Sequence, residues 1–366
     1  MNKFPLVVIG AGPAGLSAAI EAAKSGVKVL VIDENSKPGG QMFKQIHKFF
    51  GSKEHKAGTR GFEIGNLLLE ETRRLGIEVW LNSEVCGIGK DKSIWIVKNG
   101  EESLNIEAET IILAAGGMEN ALSFPGWTLP GVMSAGAAQT MINIHRVLPG
   151  KKVVMLGSGN VGVIVSYQLM QAGAYVAAIV EAAPSLGGYG VHTAKVRRAG
   201  VPFYTAHTIS RAIGETCVEA VEIVGLDSNW KPVPGSEMII EADTICLATG
   251  LTPLVELAWT AGCQFGYIPE LGGHIPLHDS SMETTVKGIY VAGDISGVEE
   301  ASTAMEEGKL AGANAAAALG YLSIEQTEKR SNEIWESLNA LRCGAFGEKR
   351  RKAKDKLLLA AKELMG

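Results

Sequence analysis

Val7-Val-Ile-Gly10-Ala-Gly12-Pro-Ala-Gly15 stands near the start of the chain, and Val154-Met-Leu-Gly157-Ser-Gly159-Asn-Val-Gly162 repeats it 147 residues later. Each copy follows an apolar run and leads into an apolar-periodic segment, which predicts strand, turn and helix in that order. The first glycine of each copy makes the tight turn, and the second lets backbone approach a pyrophosphate. The third lets the helix sit close to the sheet. The free N–H groups and dipole of the helix start favour an anion. Two copies predict two dinucleotide sites on one polypeptide. The fold class is α/β, with two Rossmann-like three-layer domains.

Around the first copy, a strand over 7–9 and a helix from Leu16 to about Ser25 are expected. A second strand over 27–32 ends at Asp33, 23 residues after Gly10. A carboxylate there accepts both hydroxyls of an adenosine ribose and repels a 2′-phosphate. Lys37-Pro38-Gly39-Gly40-Gln41 comes next. Around the second copy, a strand over 152–156 enters the turn and the helix runs to about Gly173. The following strand, 175–180, reaches Glu181, 24 residues after Gly157. A β-bulge in that strand would account for the extra residue. Ala182-Ala-Pro-Ser follows without a cation, so NAD is expected there over NADP.

Three further stretches extend the pattern. Thr110-Ile-Ile-Leu-Ala-Ala-Gly116-Gly117 and Thr244-Ile-Cys-Leu-Ala-Thr249-Gly250 are strands ending in small residues. Gly288-Ile-Tyr-Val-Ala-Gly293-Asp294 precedes an Ala-rich helix expected over 300–319. In this order the motifs resemble the two-dinucleotide flavoproteins of the pyridine nucleotide–disulfide oxidoreductase group, and most of all its thioredoxin-reductase-like branch. The resemblance implies FAD at Gly10, Gly12, Gly15 and Asp33, with Gly40 and Gln41 along the flavin. It implies crossings between domains at Gly116 and Gly250, and a ribityl contact at Gly293 and Asp294. NAD would sit at Gly157, Gly159, Gly162 and Glu181. The implied layout inserts the NAD domain (150–250) into the FAD domain (1–124 plus 275–322). Residues 125–149 and 251–274 are the expected joints, and 323–366 a basic helical tail.

The disulfide reductases of that group keep a cysteine pair. Here Cys86, Cys217, Cys246, Cys263 and Cys343 form no CxxC, and Met42 follows Gly39-Gly40-Gln41. No zinc spacing is present, so no metal is expected. Phe124-Pro-Gly-Trp127 through Met133-Ser-Ala-Gly136-Ala-Ala-Gln139 resembles the flavin subunits of multi-subunit dehydrogenases. So do Glu270-Leu-Gly-Gly-His-Ile-Pro276, Gly187-Gly-Tyr-Gly-Val-His192 and Arg197-Arg198. That group includes the sarcosine oxidase alpha, opine and hydroxyproline dehydrogenase alpha, hydrogen cyanide synthase middle and anaerobic glycerol-3-phosphate dehydrogenase-associated subunits.

The likeness implies hydride transfer between NAD(H) and flavin in an electron-transferring subunit. Its partner would oxidise a small amine or polyol and would carry any iron–sulfur cluster, since Cys343 is the tail's one cysteine. No catalytic side chain is expected, because flavin N5 carries the chemistry. The alternatives are a self-sufficient NADH-dependent reductase of oxygen or a quinone, and a non-catalytic nucleotide-binding subunit.

Composition narrows the class. The 366 residues suit two domains, with a formal net charge of −5. Residues 329–366 hold ten Lys/Arg and five Asp/Glu, leaving an acidic body that argues against nucleic acid. No apolar run approaches the roughly 20 residues of a membrane span. The opening residues do not read as a secretory leader, and the sparse cysteines suit a cytoplasmic setting. A homo-oligomer is compatible with all of this. Residues 43–60, basic and aromatic, read as a lid or docking surface, or as plain solvated surface over buried Phe. His47, His192 and His207 read as acid–base candidates or as bonded structural residues. The stretch 347–362 suits an amphipathic helix, either docking a partner or packed on its own domain.

Overall fold

The computed structural model describes residues 2–49 and 53–365. The chain first forms β1 (Asn2–Ile9), α1 (Pro13–Lys24), β2 (Val29–Ile32), α2 (Gly61–Arg74), β3 (Glu78–Trp80), β4 (Ser83–Ile88), β5 (Ser93–Lys98), β6 (Glu102–Leu113) and β7 (Gly117–Glu119). It continues through β8 (Val132–Ser134), α3 (Ala135–Thr140), β9 (Lys152–Leu156), α4 (Asn160–Gln171), β10 (Tyr175–Glu181), α5 (Gly190–Arg198), β11 (Phe203–Thr205), β12 (His207–Ile213), β13 (Ala220–Gly225), β14 (Met238–Glu241) and β15 (Thr244–Leu247). The last part holds β16 (Leu251–Pro253), α6 (Glu256–Thr260), β17 (Phe265–Ile268), β18 (Gly273–Pro276), β19 (Ile289–Val291), α7 (Ala301–Ala318), α8 (Ile324–Leu341) and α9 (Gly344–Met365). Two compact units result. One runs to Met118 and resumes at Leu251; the other is Glu119–Gly250.

The first unit is built on a sheet ordered β3-β2-β1-β6-β5-β4, with β19 also beside β6. β3, β2, β1, β6 and β19 are parallel, while β5 and β4 run antiparallel off the first half of β6. Leu6, Val7 and Val8 are wholly buried, as expected of a parallel strand covered on both faces. Ile9 lies opposite Ile32 and Leu113, and Val291 also lies opposite Leu113. Four strand ends therefore meet at one carboxyl edge.

α1 and α7 pack backbone to backbone. A Cβ on Gly308 or Gly312 would collide with the carbonyl oxygen of Ala14 or Ala18. The two glycines lie one turn apart on one face of α7. Gly312→Leu should therefore cost about 3 kcal/mol or more of stability. A denaturant-unfolding midpoint equal to wild type would contradict this close approach.

In the second unit the parallel sheet is ordered β11-β10-β9-β15-β8, and a separate antiparallel sheet is ordered β12-β13-β14. Alternate residues of β9 feed two cores. Val154 and Leu156 join Ile223 and Val221 of β13, and Val153 and Met155 join Val163 and Leu169 of α4. The β10–β9 register shifts between Val176 and Ala178, which is the bulge that delays Glu181 by one residue.

Several boundaries differ from those read in the sequence. α1 begins at Pro13, because proline is at home in a first helical turn, and β2 begins at Val29. The stretch expected as the joint 125–149 supplies β8, an edge strand of the second sheet, and α3. Three residues are too short a strand for period-two patterning to reveal. The stretch 251–274 belongs to the first unit and carries β16, α6 and β17. The tail is two packed helices. α8 buries Ile334 and Leu338, and α9 buries Ala353, Leu357 and Ala361 against Ile268, Leu271, Ile275 and Leu277. Leu359 and Leu364 of the same apolar run stay exposed, because helical spacing turns them away from that stripe.

Within 43–60, Phe49 is buried and Phe43 partly buried, and positions 50–52 lie outside the described residues. His47 stacks on Phe49 at 5.7 Å, and His55 bonds Glu306 at 3.0 Å.

Candidate functional sites

The first candidate site occupies the carboxyl edge of the first sheet, where Gly10, Asp33 and Gly293 follow the ends of β1, β2 and β19. Gly10 turns at φ 105°, and a Cβ there would strike the Ala114 carbonyl. Any side chain would cost both conformation and space. A Cβ on Gly15 would strike the Gly10 carbonyl, so this glycine sets how closely α1 meets the turn. Gly12 differs: nothing lies within 4 Å of its Cβ position. It caps α1, no side chain bonds the helix start, and the first turn carries no acid. The site thus offers open N–H donors and an unopposed positive dipole end, which fits a pyrophosphate.

Asp33 is buried and positioned by this loop. Its Oδ2 accepts the Ala11 N–H at 2.6 Å, and its Oδ1 accepts Asn35 N–H at 2.8 Å and Asn35 Nδ2 at 2.9 Å. Gly39 N–H donates to the Ala11 carbonyl at 2.7 Å, and a Cβ on Gly40 would lie 2.9 Å from Gly12 Cα. The Gly39-Gly40 loop therefore rests directly on the glycine turn, with Gln41 exposed in the following tight turn. Met42 behind it is buried against Phe49, Ile64 and Met305.

Asp294 lies beside Gly117: its Cβ is 3.5 Å from that residue's Cβ position. Gly116 carries the carbonyl that receives Leu254 N–H at 3.0 Å. Asp294 keeps some surface but is set among dense protein. Desolvation raises its pKa to about 6, offset in part by a backbone N–H of Glu299 and raised further by Glu307.

The second unit repeats this construction. Gly157 turns at φ 102° under the Ala248 carbonyl, and Gly162 packs α4 on that turn. Gly159 has nothing within 4 Å of its Cβ position and caps α4 with no side-chain bond and no acid in the first turn. Glu181 accepts Ser158 N–H at 2.8 Å and Ser158 Oγ–H at 2.6 Å on Oε2, and Ala183 N–H at 2.8 Å on Oε1. Gly250, at the unit's last position, accepts Asn120 N–H at 3.0 Å.

Ser158 was not singled out from the sequence, and Gly187-Gly188 was read there for its resemblance and not for its place against the glycine turn. Ser158, wholly buried, ties Glu181 to the loop beyond by receiving Gly187 N–H at 3.0 Å. Gly187-Gly188 also stands six residues after its acid, as Gly39-Gly40 does, and a Cβ on Gly188 would lie 2.8 Å from the Ser158 carbonyl. The equal spacing was the available signal.

The cysteines are all unpaired. Burial pushes the Cys246 thiol up to about 12, with a smaller contribution from Glu119. Burial also raises Cys263, so neither buried cysteine presents a thiolate. The His207 ring N–H donates to the Thr205 carbonyl at 2.7 Å, and His192 is buried. Among the described residues, no group of His, Cys, Asp and Glu could hold a metal, and no helix is long and apolar enough to cross a membrane.

A family model described as "Pyridine nucleotide-disulphide oxidoreductase" matches residues 4–308. The chain is 32% identical to the opine oxidase A subunit of Agrobacterium tumefaciens over 90% of this chain and 68% of that protein. It is 29% identical to the opine oxidase A subunit of Rhizobium meliloti, covering 89% of this chain and 65% of that one, so part of these relatives has no counterpart here. It is 28% identical to the hydrogen cyanide synthase subunit HcnB of Pseudomonas protegens, covering 88% of this chain and 72% of that one. In fold it is similar to the thioredoxin reductase of T. acidophilum, with TM-score 0.71 and 22% identity over 87% of this chain and 99% of that one.

Proposed function

The chain belongs to the pyridine nucleotide-disulphide oxidoreductase family and is an FAD-dependent oxidoreductase, and from that premise we propose that it moves hydride between NAD(H) and FAD as the electron-transferring subunit of a multi-subunit dehydrogenase. The observation that carries the reading is the duplicated construction: an open glycine, an uncapped helix start and an anchored acid in each unit, in a chain with no paired cysteines.

In this reading Gly10, Gly12, Gly15, Asp33, Gly40, Gln41, Gly116, Gly293 and Asp294 hold FAD. Gly157, Gly159, Gly162, Glu181 and Gly250 hold the nicotinamide dinucleotide. Bound flavin supplies a hydride acceptor at N5. The protein's own work is binding and orientation. The starts of α1 and α4 receive pyrophosphates, and Asp33 and Glu181 receive ribose hydroxyls. No side chain has to move a proton for hydride transfer; His47, His55 and His207 are engaged in structural contacts. Relatives named as oxidase and synthase subunits support the presence of a partner subunit, which in this reading oxidises a small amine or polyol. The unpaired cysteines suit a reducing, cytoplasmic compartment.

The test is anaerobic mixing of the purified protein with NADH or NADPH while the flavin's visible absorbance is followed. Both oxygens of Glu181 are engaged by the loop and Ala182-Ala-Pro-Ser after it holds no cation, so NADH should react at least about tenfold faster. Equal or faster reaction with NADPH would reverse the assignment. Sustained oxygen or quinone turnover without a partner would remove the subunit reading.

A further inference from the structure

The turn that carries Asp294 is held from below by a buried ionic cluster, two of whose members come from the C-terminal segment beyond the family match. Glu307 of α7 accepts the Gly293 N–H at 3.1 Å and the Ser296 Oγ–H at 2.7 Å on Oε2. Its Oε1 receives Arg342 Nη2 at 2.6 Å and Lys354 Nζ at 2.7 Å. Lys354 also reaches the same turn directly, donating to the Ser296 carbonyl at 2.8 Å. Arg342 is completed by Glu299, with Nη2 at 2.6 Å from Oε2. The side chains of Glu299, Glu307, Arg342 and Lys354 are each only 3–4% exposed. Arg342 follows α8 and Lys354 lies on α9, whereas the family match ends at residue 308.

Two carboxylates and two cations balance in this cluster. Burial would raise Glu307, but Lys354 and Arg342 overcome it and hold the carboxyl well below its usual range. His278, buried beside them, adds no third cation: burial and then Lys354 push it down to about 4. A buried pair is costly to break from one side, because the remaining charge is left uncompensated. The cations therefore keep Glu307 ionised and able to accept both Gly293 N–H and Ser296 O–H.

We propose that Lys354 of α9 and Arg342, at the end of α8, are positioning residues for flavin: through Glu307 they set the Gly293–Ser296 turn that presents Asp294. This rests on the reading of the first unit as the FAD site. It makes α8 and α9 part of the cofactor site, acting through Glu307.

The experiment titrates FAD onto the full-length apoprotein by flavin fluorescence, well below the melting temperature, for wild type and variants. Lys354→Met should weaken FAD binding by about tenfold or more, and Lys354→Arg should restore it to within about threefold. Leu357→Ala loosens the same helix through its apolar stripe without touching the cluster. It should lower the melting temperature and leave FAD affinity within about threefold of wild type. Wild-type affinity in Lys354→Met, or an equal loss in Leu357→Ala, overturns the proposal. Should Lys354→Met not fold, Ser296→Ala decides: it removes the hydroxyl shared by Glu307 and Lys354, and undiminished affinity overturns the proposal. A wild-type protein that binds no FAD would instead overturn the underlying site reading.

Discussion

Protein carrying Gly159→Val should remain yellow and lose reduction by NADH at least about a hundredfold, the scale on which small misplacements of reacting groups act. Separation of folding from binding makes this a strong test. Gly159 sits at φ −62° and ψ 175°, a conformation open to any residue, and no atom lies within 4 Å of its Cβ position. The valine therefore costs the fold little. It fills the space in front of the uncapped α4 start, where the reading seats a pyrophosphate. Gly157→Val makes the contrast: that side chain faces a positive φ and the Ala248 carbonyl, so the protein should be destabilised throughout the second unit. The check is stopped-flow reduction together with the flavin spectrum and melting curve. Wild-type reduction by NADH in Gly159→Val would refute the second-site assignment.

Asp294→Ala should be purified colourless, or nearly so, because it removes the carboxylate assigned to the ribityl chain. Undiminished flavin content would contradict that contact. Asp294→Asn reports on what the buried carboxyl costs the apoprotein. The folded-state pKa is raised from 3.8 to about 6, mainly by desolvation. A raised carboxyl contributes its full stability below the unfolded value and loses it as pH rises through the folded value. Between pH ~4 and pH ~7 the wild-type apoprotein should therefore lose roughly 2–3 kcal/mol relative to Asp294→Asn. Denaturant unfolding across that range measures it, and a pH-independent difference between the two proteins would show that Asp294 is not held at a cost. A stability gain in the apoprotein paired with lost flavin is the signature of a group kept for ligand rather than for folding.

Much of the candidate site was legible in the sequence. Gly10, Gly12, Gly15 and their second copies could be read because strand, turn and helix impose a fixed spacing. Asp33 and Glu181 could be read because the next strand must end beside that turn. Even the late arrival of Glu181 was readable as a bulge, and the structure has one between Val176 and Ala178. The edge strand β8 was not legible, since three residues carry no period. Gly308 and Gly312 looked like ordinary members of an Ala-rich helix. Their meaning lies in Ala14 and Ala18, on a helix almost 300 residues away in sequence.

What the sequence determined by itself is everything dictated by local geometry: two dinucleotide-type turns, their anchoring acids, the order of the motifs along the chain and the lack of a cysteine pair. The tertiary structure alone decided which polar groups meet. Ser158 joins a glycine turn to a loop 29 residues on, and Glu307 meets Arg342 and Lys354 at separations of 35 and 47 residues. Such pairings follow from how helices pack over a sheet, and no periodicity along the chain encodes them. The basic tail could be read as charge. That two of its cations are buried under the turn presenting Asp294 is a consequence of packing, because only desolvated partners at hydrogen-bond distance make a buried charge tolerable.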